Sequence, residues 1–206
     1  KGAHMHALGK GFLGFETISS TNTSLKLKTL YEYEYNTTYY DVAIKKQSKY
    51  LLPFGSSSEE LISELTLNNQ WTNLGNGTFW TSVASSFEAD LLKGSSVTKT
   101  YNYNFAYGNL TNYREDYDDS SYNSTAYSNF SDAGTWLPAK PQTIAVSKKH
   151  YQDSQINTLT TNLTYYPTSG LLHTKNIGSL TVTYNYDSYG NMIDEISSDG
   201  ISNRTN

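Results

Sequence analysis

Tyr184-Asn185-Tyr186-Asp187-Ser188-Tyr189-Gly190-Asn191-Met192-Ile193 is the stretch on which the reading of the whole chain turns. A shift of twenty residues sets Tyr166 under Tyr186, Pro167 under Asp187, Gly170 under Gly190 and Leu172 under Met192. Self-similarity at a short fixed period marks a repeat architecture, in which each unit buries its apolar groups only against its neighbours. The residue types also make local sense. Asp187 can accept hydrogen bonds from the backbone of a turn that it opens, Gly190 can take the left-handed position, and the flanking tyrosines can stack along a strand pair. A looser copy, Tyr103-Asn104-Phe105-Ala106-Tyr107-Gly108-Asn109-Leu110, carries one extra residue and Asn in place of Asp. These stretches predict tyrosine-flanked reverse turns at Tyr184, Tyr186, Asp187, Gly190 and Asn191, at Tyr166 and Gly170, and at Tyr103, Gly108 and Asn109.

Outward from these turns the chain reads as strands. Thr143 to Tyr151, Asn157 to Tyr166, Leu171 to Asn176, Ser179 to Tyr186 and Met192 to Ser197 are five runs within about 55 residues. That is hairpin spacing, and it leaves no room for βαβ crossovers. Near the N-terminus, Leu25, Leu27, Thr29, Tyr31, Tyr33 and Tyr35 alternate with Lys26, Lys28, Glu32 and Glu34, a period-two pattern that only Leu30 breaks. Asn36-Thr37-Thr38 should turn it and Tyr39 to Leu52 return antiparallel. Glu59 to Leu67 carries both a helix start signal and strand alternation, and the alternation is preferred. Phe79 to Leu92 reads as a strand pair or as one strand with an irregular return, and Ser96 to Tyr107 as a second tyrosine-rich strand returned by Leu110 to Tyr117. Asp116 to Asp132, acidic and rich in Ser and Asn, reads as an exposed loop or an embellished hairpin. The expected architecture is all-β: successive antiparallel hairpins forming an extended, curved sheet, with residues 1–206 as one segment of a longer polypeptide.

Composition agrees with that class. Tyr reaches 19 of 206 residues, and Tyr and Thr pack well on a pleated, half-wet surface. Charged residues make up 17%, too few for a disordered polyelectrolyte, and a net charge of -4 offers no basic footprint for nucleic acid. The absence of cysteine removes thiolate metal sites, a Cys nucleophile and any disulfide framework. No apolar run approaches the ~18 residues of a membrane span. Eight Asn-x-Ser/Thr sequons follow from the abundance of Asn, Ser and Thr.

Candidate chemistry is sparse. His4 and His6, two apart on a strand, share a face that a metal could bridge, but spacing supplies no third ligand. His150 beside Lys148 and Lys149 reads as charge on an exposed edge. Glu115, Asp116, Asp118 and Asp119 lack the spaced ligand pattern of a calcium loop and read as solvated. No Gly-x-Ser-x-Gly elbow or phosphate-binding glycine loop is present. Trp71, Trp80 and Trp136 with the tyrosines could line a sugar-binding platform, though aromatic ladders also simply hold hairpins together. The expectation is therefore no catalytic residue, no cofactor and no metal.

The pattern Tyr184-x-Tyr186-Asp187-x-x-Gly190-Asn191-Met192 resembles the repeat that gives the RHS/YD-repeat family its name. His6-x-x-Gly9-Lys10-Gly11-Phe12-Leu13-Gly14-Phe15 is similar to a glycine-aromatic segment that precedes the repeats in toxin-complex B-type and SpvB-related members. The resemblance implies a β-ribbon spiralling into a hollow shell that encloses a toxic domain or, in teneurins, forms part of a surface adhesion protein. It implies a structural, non-enzymatic wall segment of a secreted or cell-surface bacterial protein. Its partners would be the rest of its own polypeptide, including an enclosed cargo domain, with no nucleic acid and no membrane span. The closing core with its autoproteolytic aspartates is not recognisable, so cleavage is not carried over. The alternative is a β-sandwich that binds carbohydrate or a host surface through exposed Tyr and Trp.

Overall fold

A computed structural model describes residues 1–6, 11–53, 58–75, 77–104, 108–131, 140–199 and 203–205. Every regular element among them is a strand. The chain divides into two compact units, Lys1–Tyr101 with Glu115–Asp119, and Asn102–Arg114 with Ser120–Asn206.

The first unit contains β1 (Ala3–His6), β2 (Gly11–Phe15), β3 (Thr17–Asn22), β4 (Leu27–Asn36), β5 (Asp41–Leu51), β6 (Glu60–Gly75) and β7 (Thr78–Asp90), followed by most of β8 (Ser95–Asn104). β1 and β2 form a hairpin, and from β3 to β8 each strand pairs antiparallel with the next in sequence. The alternation of β4 survives as expected: Tyr31, Tyr33 and Tyr35 face Gln47, Ile44 and Val42 across the ladder. The extra residue that keeps Ile44 and Gln47 on the same face is Lys45, a bulge opposite the Glu32–Tyr33 step.

Two expectations need correction here. Leu25 and Lys26 lie in the turn before β4, with Lys26 left-handed at φ 54°, because the Asn22 side chain accepts from Leu25 N and closes that turn. Of Phe79 to Leu92, the part up to Asp90 is a single strand, β7, which pairs along almost its whole length with β6, and Leu91 and Leu92 lie in the turn that follows. The Ser-rich middle of β7 is held by its ladders: Ser82 pairs with Gln70 of β6, Ser86 pairs with Leu67 of β6 and Lys99 of β8, and both serines are buried.

The β5–β6 pairing is partial. Among the described residues the backbone ladder runs from Leu51↔Glu60 to Lys46↔Thr66. Beyond it, β5 stays with β4 and β6 with β7, leaving a seam that side chains bridge. Asn69 Nδ2 donates to Ile44 O at 2.7 Å and to Glu34 Oε1 at 2.8 Å. Trp71 Nε1 and Thr81 Oγ1 both donate to Asp41 Oδ2, at 2.9 and 2.6 Å. Tyr39, in the turn after β4, stacks on Phe79 at 4.7 Å.

The second unit contains the end of β8 and most of β9 (Asn109–Tyr117), then β10 (Tyr122–Ser131), β11 (Lys140–Lys149), β12 (Asn157–Tyr165), β13 (Leu172–Ile177), β14 (Leu180–Tyr186), β15 (Met192–Ser198) and β16 (Asn203–Thr205). From β10 to β16 the order is again strictly sequential and antiparallel. Of the two readings of 116–132, the loop is wrong: most of that stretch is strand. The residues tolerate it because one face of this unit is largely polar, with Ala126, Ala145 and Ile196 among its exceptions. Register places Tyr127, Ile144, Val146, Leu163, Ile177 and Val182 on one face, and Thr143, Ser147, Asn162, Thr164, Asn176 and Thr181 on the other. The polar face stitches itself across strands, with Ser147–Thr158 at 2.8 Å, Thr164–Thr174 at 2.7 Å and Thr181 donating to Asn176 at 2.7 Å. Such directly opposed pairs contribute about 0.2–1 kcal/mol each and fix the register.

Burial is shallow. Among the described residues Val182 is the buried hydrophobic, and the most enclosed side chain of all is Ser48, 1% exposed. A sheet needs a second layer to enclose an apolar face. Here small side chains sink between larger neighbours, Ser48 between Leu30 and Glu64 on the flanking strands.

Candidate functional site: the stacked repeat turns

The expected turn residues gather at one edge of the second unit. Asp187 follows β14. Its Oδ1 accepts from Tyr189 N and Asn191 N, both at 2.9 Å, and its Oδ2 from Asn191 Nδ2 at 2.9 Å. Backbone bonds from Asp187 N to Asn191 O and from Gly190 N to Asp187 O complete the loop. Gly190 sits at φ 88°, the left-handed side that its lack of a Cβ permits. Tyr189 projects from the tip, 90% exposed.

The preceding turn has Pro167 where Asp187 would be, so the carboxylate fastening is gone. Backbone takes over: Tyr166 N donates to Leu171 O at 2.9 Å and Gly170 N to Tyr166 O at 2.8 Å, with Gly170 buried at φ 65°. The loose copy closes in the same way, Gly108 N donating to Asn104 O at 2.8 Å with Gly108 at φ 71°. Tyr103 lies in β8 and Asn109 opens β9, while residues 105–107 lie outside the described ones. A fourth turn of this kind falls where Asn36-Thr37-Thr38 predicts one, and it takes in Tyr39 and Tyr40 as well, so the returning strand starts only at Asp41. Tyr40 N donates to Asn36 O at 2.8 Å with Tyr40 itself at φ 55°, and Asn36 Oδ1 caps the amides of Thr38 and Tyr39. No glycine announces it.

The twenty-residue period now has a physical meaning. In an antiparallel meander every second turn falls on the same edge, so a strand, a short turn at Gly178–Ser179, a second strand and a long turn make one unit. The first long turn touches the strand end that leads into the second. Tyr166 Oη donates to Tyr184 O at 3.1 Å and to Asn185 Oδ1 at 3.2 Å, and its ring meets Tyr186 edge-on at 6.1 Å. The His173 ring also lies against Tyr166, centre to centre at 4.4 Å. One strand pair earlier, Lys140 Nζ donates to Gly170 O at 2.6 Å and sits 5.4 Å from the Tyr165 ring centre. Tyr165 Oη donates to Pro141 O at 2.8 Å. Burial pushes the Tyr165 hydroxyl up; burial, then the nearby Glu195 and Tyr186, do the same to Tyr184.

The Asn191 side chain first, then the amides of Asn191, Tyr189 and Gly190, hold the Asp187 carboxyl below its ordinary 3.8. A depressed folded value means the turn's support is complete above pH 3.8 and fades as pH falls through the lower folded value. NMR shifts of the Tyr189 and Asn191 amides should therefore stay constant from pH 7 to about 4 and move only below that. A transition centred above pH 5 would contradict the fastening.

The other candidates are placed separately. His4 and His6 lie in β1 and His150 beside Tyr151, ring to ring at 4.7 Å. Among the described residues no group of three or more His, Asp or Glu side chains could hold a metal ion. Glu115 and Asp116 belong to β9, Tyr117 Oη donates to Glu115 Oε2, and Asp118 accepts from Ser96 N. A cavity of about 260 Å³ lies beside Asp118, but Glu88 and Asp90 on its wall are already paired with Lys99 and Lys93. Trp71 is committed to Asp41, Trp80 lies in β7 opposite Thr72, and Trp136 is outside the described residues. No helix of the described residues is long and apolar enough to cross a membrane, a statement about helices alone.

No family model and no curated protein matches the chain. Among solved structures it is similar to a porin-like protein from Bacteroides uniformis, at 14% identity and a TM-score of 0.35, covering 93% of this chain and 94% of that one. A likeness at that score carries no argument about this chain.

Proposed function

We propose that the chain is a structural wall segment of a large secreted or surface-exposed bacterial polypeptide of the RHS/YD-repeat kind, building the side of an encapsulating shell. The observation that supports this most is the contact between Tyr166, in the turn at 166–171, and the end of β14 that leads into the turn at 187–191, one period on and at the same edge. Hairpin follows hairpin, with Tyr165 and Tyr166 fastening neighbours together in the second unit, so the wall extends without a closed core. The role is scaffolding, and the partners are neighbouring repeats of the same polypeptide and any cargo that the shell encloses.

Sedimentation velocity over a wide concentration range tests this. A wall segment with open sheet edges should self-associate as concentration rises. A compact monomer at every concentration that is also retarded on a polysaccharide affinity gel would sink the proposal in favour of a glycan-binding module.

A further inference from the structure

β3 is an edge strand occupied on one side and barely begun on the other. On the inner side it pairs with β4 from Thr17↔Glu32 to Asn22↔Leu27. On the outer side, Lys1 N donates to Thr17 O at 3.1 Å and Thr17 N donates to Lys1 O at 3.2 Å. That two-bond exchange is the hydrogen-bonded pair of an antiparallel ladder. It continues the register of β1 and β2, in which His4 faces Gly14 and Ala3 faces Phe15, and Glu16 N donates to Gly2 O at 2.7 Å. One step back along the first strand is one step forward along the second, across the bend at Glu16 and onto β3.

Beyond Thr17 no strand among the described residues pairs with this side. Ile18, Ser19, Ser20, Thr21 and Asn22 are all exposed. The strand has no charge, proline or glycine, none of the devices that protect an edge from pairing. Because Thr17 spends its N–H and C=O on Lys1, alternation directs those of Ser19 and Thr21 to the same open side, and those of Ile18 and Ser20 toward β4.

We infer that this edge seats one further strand, antiparallel to β3 and carried by chain that enters Lys1 from its N-terminal side; this rests on reading the chain as part of a longer wall. A second copy of the chain is the poorer occupant. Lys1 already holds the first position of the edge, and chain arriving at Lys1 in this register lies directly along the rest.

The test places five residues before Lys1, either Thr-Val-Thr-Val-Thr or Gly-Ser-Gly-Ser-Gly, and follows amide hydrogen exchange by NMR. With the first extension, exchange at Ser19 and Thr21 should slow by at least about tenfold, because their amides leave the freely exchanging class. With the second it should not change. Ile18 and Ser20 should be protected in both, which shows that β3 is folded. The inference is overturned if Ser19 and Thr21 stay fast with the first extension, if both extensions slow them equally, or if the slowing grows with protein concentration. The first two results leave the wall reading untouched, and the sedimentation experiment judges it separately.

Discussion

Gly190→Val should cost the second unit about 1–3 kcal/mol, because a β-branched residue is forced into a left-handed conformation that only glycine adopts freely. Gly190 has φ 88°. The cost is one of backbone, not of space: a Cβ added there would stand 3.7 Å from Leu171 Cδ1, an ordinary van der Waals contact. Gly190→Ala should therefore be nearly as damaging as Gly190→Val, whereas Gly190→Asn should recover part of the loss, since Asn tolerates the left-handed region. The measurement is the melting temperature by circular dichroism. Equal melting temperatures for the valine variant and the parent would refute the assignment of 187–191 as a strained repeat turn. A recovery by Asn that fails to appear would instead place the cost in packing against Leu171.

Asp41→Ala should destabilise the first unit by about 1–2 kcal/mol, the lower part of the range for a lost charged acceptor because Asp41 is half exposed. The carboxylate takes both Trp71 Nε1 and Thr81 Oγ1 across the seam where the β5–β6 ladder has stopped. Its removal strands two donors at once and leaves Asn69 and the Tyr39–Phe79 stack to hold the hairpin ends. Urea unfolding should show a lower midpoint with an unchanged slope, and the Trp71 emission should shift to the red. Partial burial pushes the Asp41 carboxyl up, but the hydrogen bonds from Thr81, Trp71 and the Val42 amide outweigh it and leave a value below 3.8. The contribution is thus complete above pH 3.8 and lost as pH falls through the lower folded value. The Asp41→Ala deficit should vanish in strong acid, where the parent has lost the same support. A deficit equally large at pH 2 and pH 7 would show that Asp41 acts by packing and not by charge.

The strand class was legible where residues alternate cleanly. Tyr31, Tyr33 and Tyr35 declared β4, and Asp187 with Gly190 declared the turn after β14, because both signals are local. Glu60–Gly75 came out as strand, as its alternation suggested over its helix-like start, since pairing on both sides outweighs a capping signal. What stayed hidden depends on neighbours. Nothing in Tyr122–Ser131 marks a strand until Val146, Ala145 and Ile144 stand opposite Thr125, Ala126 and Tyr127. Asp41 gains its role only when Trp71 and Thr81, 30 and 40 residues away, arrive beside it. Partner choice at that range is a property of the register, which a single strand's sequence does not encode.

Because the long turn at Tyr166 leans on the strand end that leads into the next long turn on the same edge, the chain can lengthen or shorten there only by whole strand pairs. Duplicating a lone strand would send every later tyrosine corner to the opposite rim and break its contact with the one before. Duplicating a pair leaves each corner where its predecessor can receive it. A gene that grows by about sixty nucleotides at a time thus adds masonry without disturbing what is already laid.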